Sequence, residues 1–266
     1  MEFEGKVVYI TGAAKGQGKA MALSFAKEGA KIIAFDLGKK IGYPSYNDAS
    51  MQALEDLKKE IEQLGSECII YGGDVRKAED CENAVKAGID AFGKIDILIN
   101  NAGICAYAFA DEMTEDEWDS MMDINAKGAW LTAKYVIPHM KAAKSGVIIN
   151  NSSVGGLRGM RRLSHYAASK WALTGMTKSW ALELAPYGIR VLSIHPTGVN
   201  TPMNDGLADM EGKTPEEIAE ASAGNLLPVP WIEPQDVADS VLFLASDKAK
   251  YVTGSQYVLD AGLLTV

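Results

Sequence analysis

Short apolar runs alternate with longer helical patterns along this chain, and that alternation restricts the fold more than any other feature. Residues 6–10, 31–36, 67–71, 95–99, 147–150, 190–194 and 256–259 read as strands. Between them, residues 17–29, 51–64, 78–92, 115–140, 166–184 and 237–245 read as helices. Strand followed by helix, repeated, predicts βαβ units and a parallel sheet. The expectation is an α/β fold: one Rossmann-like, doubly wound sheet of seven parallel strands with helices on both faces. The 266 residues, 47% hydrophobic, can bury one large core, and no linker is rich enough in Gly, Pro or Ser to split them into domains. Two stretches break the pattern. Residues 37–50, with Gly38, Gly42, Pro44 and Asn47, look inserted after the second strand. Residues 197–230 look irregular and carry Pro202, Pro215, Pro228 and Pro230, which predicts a lid over a site.

Composition removes several function classes. A net charge of −9 argues against nucleic acid and against an anionic membrane surface as partners. No apolar run is long enough to span a membrane. Cys68, Cys81 and Cys105 are odd in number and widely spaced, which suits reduced thiols. Together with the lack of a basic or apolar leader before residue 6, this gives a cytoplasmic expectation. His139, His165 and His195 are dispersed and show no metal-ligand spacing, so no metal is expected.

The turn after the first strand reads Thr11-Gly12-Ala-Ala-Lys15-Gly16-Gln17-Gly18. Strand, glycine-rich turn and helix set backbone N–H groups and a helix dipole against a pyrophosphate. Gly12 permits the tight turn, Gly16 lets backbone approach phosphate, and Gly18 lets the helix pack close to the sheet. The spacing is not Gly-x-Gly-x-x-Gly, so on glycines alone an ordinary βα turn stays open. Asp36 ends the second strand, followed by Leu37. A carboxylate there can accept from both adenosine ribose hydroxyls and repel a 2′-phosphate, which favours NAD over NADP. Lys15, Lys39 and Lys40 work against that preference. Asp74, before Val75, is placed against adenine or as a helix N-cap, and the two roles are compatible.

Tyr166 and Lys170, four apart, share one helix face, and Ser153 lies 13 residues before the tyrosine. Taken in order, the Gly12–Gly18 turn, Asn100-Asn101-Ala102-Gly103, Asn125, Ser153, Tyr166 and Lys170 resemble the short-chain dehydrogenase/reductase family over essentially the whole chain. More narrowly, the insertion, residues 195–203 and residues 227–231 resemble its carveol-dehydrogenase-like, mycofactocin-associated group. Thr197 and Ala261 stand where many relatives have glycine.

The resemblance implies an enzyme, an NAD(P)-dependent alcohol dehydrogenase or reductase acting on an apolar cyclic secondary alcohol or ketone. Hydroxysteroids, bile acids and cyclic terpenoids are the substrate classes it offers. It implies cofactor contacts at Asn101, Ala102, Gly103, Pro196, Val199 and Thr201, besides the turn, Asp36, Leu37, Asp74, Val75, Tyr166 and Lys170. It implies substrate contacts at Ser153, Gly155, Met160 and Tyr166. It also implies a homotetramer built on the Asn125 and Tyr166 helices and the last strand, and, within the narrower group, a tightly held NAD. A 3-oxoacyl-thioester reductase and a non-catalytic dinucleotide sensor remain alternatives. An enoyl-thioester reductase is disfavoured, because it usually spaces its Tyr and Lys more widely.

The chemistry follows from the residue types. A neighbouring ammonium and a positive nicotinamide both favour phenolate, so a lowered Tyr166 pKa is expected. Tyr166 would act as general base in oxidation and general acid in reduction. Ser153 would hydrogen-bond the reacting oxygen, and Lys170 would hold the nicotinamide ribose. By resemblance, Asn125 would hold a water in a proton relay. Hydride passes directly between substrate carbon and nicotinamide, which calls for no metal.

Arg158, Arg161 and Arg162 lie between Ser153 and Tyr166, among Leu157, Met160 and Leu163. Either one of them holds an anionic substrate tail, or they face solvent or a neighbouring subunit. Leu207, Met210, Leu226, Leu227 and Trp231 could form the apolar underside of the lid, with core packing the simpler role for Trp231. Cys105 either lines the site or is a small core residue, and His165 either borders the pocket or serves as an orienting or surface residue.

Overall fold

β-branched and aliphatic side chains fill the strands because both faces of the sheet are covered. The computed structural model describes residues 1–222 and 224–265. Among these, seven strands form one sheet: β1 (Val7–Thr11), β2 (Lys31–Asp36), β3 (Cys68–Gly72), β4 (Ile97–Asn100), β5 (Gly146–Asn151), β6 (Ile189–Pro196) and β7 (Gln256–Leu259). Their order is β3-β2-β1-β4-β5-β6-β7, and every pairing is parallel.

The helices are α1 (Gly16–Lys27), α2 (Met51–Gln63), α3 (Ala78–Phe92), α4 (Glu115–Met122), α5 (Gly128–Ala143), α6 (Ser164–Leu184), α7 (Pro202–Met210), α8 (Pro215–Ser222) and α9 (Pro234–Ala245). Successive strand residues face opposite sides of a sheet. Val8 and Ile10 therefore pack with Phe25 of α1, Leu57 of α2 and Val241 of α9. Val7 and Tyr9 pack with Val85 of α3, Val136 of α5 and Trp180 of α6. The α2 core residues Leu54, Leu57 and Ile61 recur at helical spacing, which is why that segment is helical and why this face is buried. None of the described helices is long and apolar enough to cross a membrane.

The helix predicted over 115–140 is present and runs on to Ala143, but it is not α-helical throughout: Asp123–Lys127 is a π-helical turn. The extra residue of a π-turn lets one side chain face away from the regular helical stripe. Here Asn125 is buried and grips the Ile104 backbone through Oδ1 and Nδ2, at 2.8 and 2.9 Å. Nor is the 197–230 segment simply irregular. Pro202 and Pro215 open α7 and α8, where a missing N–H costs nothing and a fixed φ favours the first turn. Ala261 has φ +50°, in the left-handed region that favours glycine.

Candidate active site

β1 lies between β2 and β4, so chain connections leave its two sides toward opposite faces and open a crevice at the strand ends. Short polar groups fix the two lips. Thr11 Oγ1 accepts from the N–H groups of Asn101 and Ala102, both at 3.0 Å. Asn101 Nδ2 donates to the carbonyls of Thr11 and Gly12, at 2.9 and 3.0 Å. Gly12 adopts φ +65°, and a Cβ on it would stand 2.9 Å from the Ala102 backbone. A Cβ on Gly18 would stand 2.0 Å from the Gly12 carbonyl oxygen, so α1 packs on the turn only through glycine.

The N-terminus of α1 has no side-chain cap and no acidic residue in its first turn. By contrast, Ser50 caps α2, and α4 has a full capping box. The free N–H groups of α1 lie at the crevice, since Lys15, Gly16 and Gln17 line it. Asp36 borders the same crevice, held by the N–H groups of Ala14 and Leu37 at 2.9 and 2.7 Å. Burial pushes its carboxyl up, and those two hydrogen bonds oppose the push. Lys15 is ion-paired with Asp48 of the 37–50 insertion, while Lys39 and Lys40 are exposed.

Asp74 also borders the crevice but does not cap α3, whose N-cap is Lys77 without a side-chain bond. Its carboxylate instead accepts from the Arg76 backbone at 3.0 Å and from the Arg76 guanidinium at 2.6 Å. Burial raises that carboxyl, but Arg76 outweighs burial and holds it low.

Tyr166 and Lys170 stand at the other end of the crevice. Lys170 Nζ donates to the Asn151 carbonyl at 2.8 Å and lies 5.6 Å from the centre of the Tyr166 ring. Burial pushes the Lys170 ammonium down to about 8. The lowered Tyr166 expected from the sequence is not produced by the protein's own groups. Burial raises that phenol, the Cys105 thiol adds to the rise, and a hydrogen bond from Ser153 opposes it.

Of the adjacent serines, Ser152 donates to the Lys170 carbonyl at 3.0 Å and is therefore occupied, although it borders the crevice. Ser153 Oγ accepts from Gly155 N–H at 3.1 Å and is the serine that meets Tyr166. Behind it, fully buried His195 bridges the Ser153 carbonyl through Nδ1 and Ser193 through Nε2, both at 2.8 Å. The carbonyl can only accept, so Nδ1 carries the proton. Asn125 does not line the crevice. Gly103 lies between it and Lys170: a Cβ there would be 3.3 Å from Asn125 Oδ1 and 3.7 Å from Lys170 Nζ.

Asn151 links the two ends. Its Nδ2 donates to Gln17 and to Asn101, both at 2.8 Å, while its buried Oδ1 has no protein partner among the described residues. A helix N-terminus without a cap and a preset carboxylate on one crevice fit an elongated ligand carrying both hydroxyl and phosphate groups.

Beside Tyr166 lies a small apolar cluster of Cys105, Leu163 and Leu207, with Tyr46, Tyr107, Met160 and Met203 packed against it. Met160 covers Gly155, where a Cβ would be 2.8 Å from Met160 Sδ and 3.3 Å from the Tyr166 ring. Cys105 thus sits where its two readings coincide, in a buried cluster beside the site.

Arg162 forms a two-pronged pair with Glu211, at 2.8 and 2.9 Å, and lies over Tyr107 and Phe109. Arg158 and Arg161 are exposed. His165 is fully buried, with Nε2 3.4 Å from the Tyr43 hydroxyl, so it is not a surface residue.

Most of the sequence-predicted cofactor residues border one crevice, including Leu37, Val75, Ala102, Gly103 and Thr201. Gly18, Pro196 and Val199 do not; Gly18 packs on the Gly12 carbonyl, Pro196 pairs with Leu259 in the sheet, and buried Val199 bridges Ile232. Of the expected lid underside, Leu207 is buried, whereas Met210, Leu226 and Leu227 are exposed. Trp231 packs on Gly198, where a Cβ would be 2.2 Å away. Sequence reasoning missed Tyr46, Asn151 and His195. Two tyrosines close together in the insertion, Tyr43 and Tyr46, were the available signal for the first.

A family model described as enoyl-(acyl carrier protein) reductase matches residues 12–264. The (−)-trans-carveol dehydrogenase of Rhodococcus erythropolis is 40% identical, covering 97% of each chain. A 3-oxoacyl-[acyl-carrier-protein] reductase of Thermotoga maritima is 39% identical, covering 99% of this chain and 100% of its own. Among solved structures, carveol dehydrogenase from Mycobacterium avium in complex with NAD gives a TM-score of 0.95 at 36% identity, over 100% of this chain and 99% of that one.

Proposed function

The chain is a member of the short-chain dehydrogenase/reductase family, and from that premise we propose that it transfers hydride between NAD and a secondary alcohol carbon on a neutral, apolar, cyclic molecule of the terpenoid type. The observation that carries the reading is one crevice with Asp36 at one end and Tyr166 and Lys170 at the other, where Ser153 meets the Tyr166 phenol from behind the lining. The names of the carveol dehydrogenases support the substrate class, and the NAD complex of one supports the cofactor. Asp36, already oriented by two N–H groups, suits ribose hydroxyls and repels a 2′-phosphate. Lys15 divides its charge between Asp48 and Asp36.

Bound NAD supplies the hydride acceptor and, when oxidised, a positive ring charge beside Tyr166. Tyr166 Oη takes the proton of the substrate hydroxyl in oxidation and returns it in reduction. Ser153 Oγ orients the same oxygen and stabilises the charge that develops on it. Lys170, anchored on the Asn151 carbonyl, would hold ribose hydroxyls of the bound cofactor. Asn125 and His195 hold the Ile104 and Ser153 backbones in register.

The apolar cluster beside Tyr166 supports an uncharged ring, and the closure of Arg162 on Glu211 counts against a carboxylate tail there. The segment 197–230, with α7 and α8, is the lid over that ring. Exposed Trp118, Trp130 and Trp171, on α4, α5 and α6, support a homotetramer in which neighbouring copies cover them.

The test follows absorbance at 340 nm with NAD and then NADP against cyclic terpenols, neutral hydroxysteroids, bile acids and a 3-oxoacyl thioester. An artificial electron acceptor run in parallel reveals turnover on a cofactor that does not exchange. The expected outcome is NAD-linked turnover of neutral cyclic alcohols. Turnover of the thioester alone would reject the reading.

A further inference from the structure

One residue of the 37–50 insertion stands in both halves of the site. Tyr46 borders the crevice and also packs on the apolar cluster beside Tyr166. Its hydroxyl is held twice by one residue. It donates to the Cys105 carbonyl at 2.8 Å and accepts from the Cys105 N–H at 3.2 Å. With donor and acceptor both engaged on backbone, the phenol offers the site only ring surface. The ring rests on α7, where a Cβ on Gly206 would be 2.2 Å from Tyr46 Cγ. The insertion, the loop after β4 and the lid therefore meet at one aromatic ring.

We propose that Tyr46 is a specificity-determining residue whose ring forms the fixed wall against which the apolar body of the substrate packs. Its seat on Gly206 sets how closely α7 approaches that body. This rests on the functional reading above. Two neighbours in the pocket adapt readily: Met160 and Met203 are unbranched thioethers with several low-energy rotamers. Tyr46 does not adapt, because its hydroxyl is pinned and its ring is wedged. A pocket with one rigid wall and pliant neighbours discriminates ring size at the rigid wall.

The experiment measures kcat and KM for Tyr46→Ala, Tyr46→Phe and Gly206→Ala with mono-, bi- and tetracyclic secondary alcohols. NAD affinity is followed by quenching of tryptophan fluorescence. Tyr46→Ala is expected to raise KM for the best wild-type substrate about tenfold or more, and to shift preference toward larger rings. Its NAD affinity should stay within about threefold, because Asp36 and the glycine turn remain. Tyr46→Phe keeps the ring and should keep the wild-type order of ring sizes. Gly206→Ala, which displaces the ring, should change that order.

An unchanged order in Tyr46→Ala, or a KM rise matched by an equal loss of NAD affinity, overturns the proposal. If Tyr46→Ala does not fold, an unchanged order in Gly206→Ala overturns it instead. If wild type turns over only the 3-oxoacyl thioester, the substrate reading fails and Tyr46 is judged on acyl-chain length. No shift in chain-length preference then overturns the Tyr46 proposal as well.

Discussion

At the Asp36 end of the crevice, contacts run from backbone or short polar side chains to backbone: Thr11 to Asn101, Asn101 to Gly12, Asp36 to Ala14. At the Met160 end, long side chains meet one another: thioethers, phenol rings and the Arg162–Glu211 pair. The first arrangement has few rotamers to rearrange and presents a fixed shape to a fixed ligand. The second can be repacked without disturbing the sheet. One scaffold can therefore keep one cofactor while its substrate differs, because the two ends do not share materials.

Adding the same methyl group at each end tests this contrast most strongly. Gly18→Ala drives a Cβ into the Gly12 carbonyl, which cannot retreat without moving β1 or α1. It should lower NAD affinity at least about 100-fold and cost about 1–3 kcal/mol of stability, read by NAD titration and urea unfolding. Gly155→Ala meets the movable Met160 thioether. It should change substrate KM while leaving the unfolding free energy from urea titration within about 0.5 kcal/mol of wild type. Equal losses at both positions would erase the distinction.

Lys170 stands beside Tyr166, and its burial makes stability depend on pH. Burial lowers its pKa from 10.5 to about 8. Below pH 8 the ammonium is charged in folded and unfolded chains alike, and the burial cost is fully present. Between about 8 and 10.5 the unfolded chain holds more protons at this site, so rising pH favours folding. Relative to Lys170→Met, wild type should gain up to roughly 3 kcal/mol between pH 7 and pH 10.5. Urea unfolding of both proteins across that window reads the difference, and parallel curves would show that Lys170 is not desolvated.

Asp36→Ser removes a charged acceptor from the rigid end. It should weaken NAD by about 1.5–3 kcal/mol and narrow the NAD-to-NADP ratio, read by titration with each dinucleotide. At the pliant end, Arg162→Met should cost less than about 1 kcal/mol of stability, since its ion pair with Glu211 is partly exposed. Its effect belongs in substrate KM, raised a few-fold as α7 loosens. A larger effect on NAD affinity than on KM would tie that latch to the cofactor instead.

The same contrast decides what was legible in the sequence. Gly12, Gly18, Asp36, Tyr166 and Lys170 could be read because local backbone geometry or helical spacing fixes each of them. Tyr46 could not, because Cys105 lies 59 residues away. His195 reaches Ser153 across 42 residues, and Arg162 reaches Glu211 across 49. No local pattern encodes such pairings. Proline misled for a related reason: a residue that interrupts a helix interior also begins one, and Pro202 and Pro215 do the latter. The arginine cluster offered a charge without its partner, and the partner determines what the charge does.

The most direct test of the central claim, that Tyr166 moves the proton while the rest of the crevice holds NAD, compares wild type with Tyr166→Phe. NAD affinity and kcat for the best cyclic alcohol are measured on the same preparation. The account predicts a fall in kcat of about 100-fold or more with NAD affinity within about threefold of wild type. A Tyr166→Phe enzyme that keeps kcat within a few-fold of wild type would contradict it.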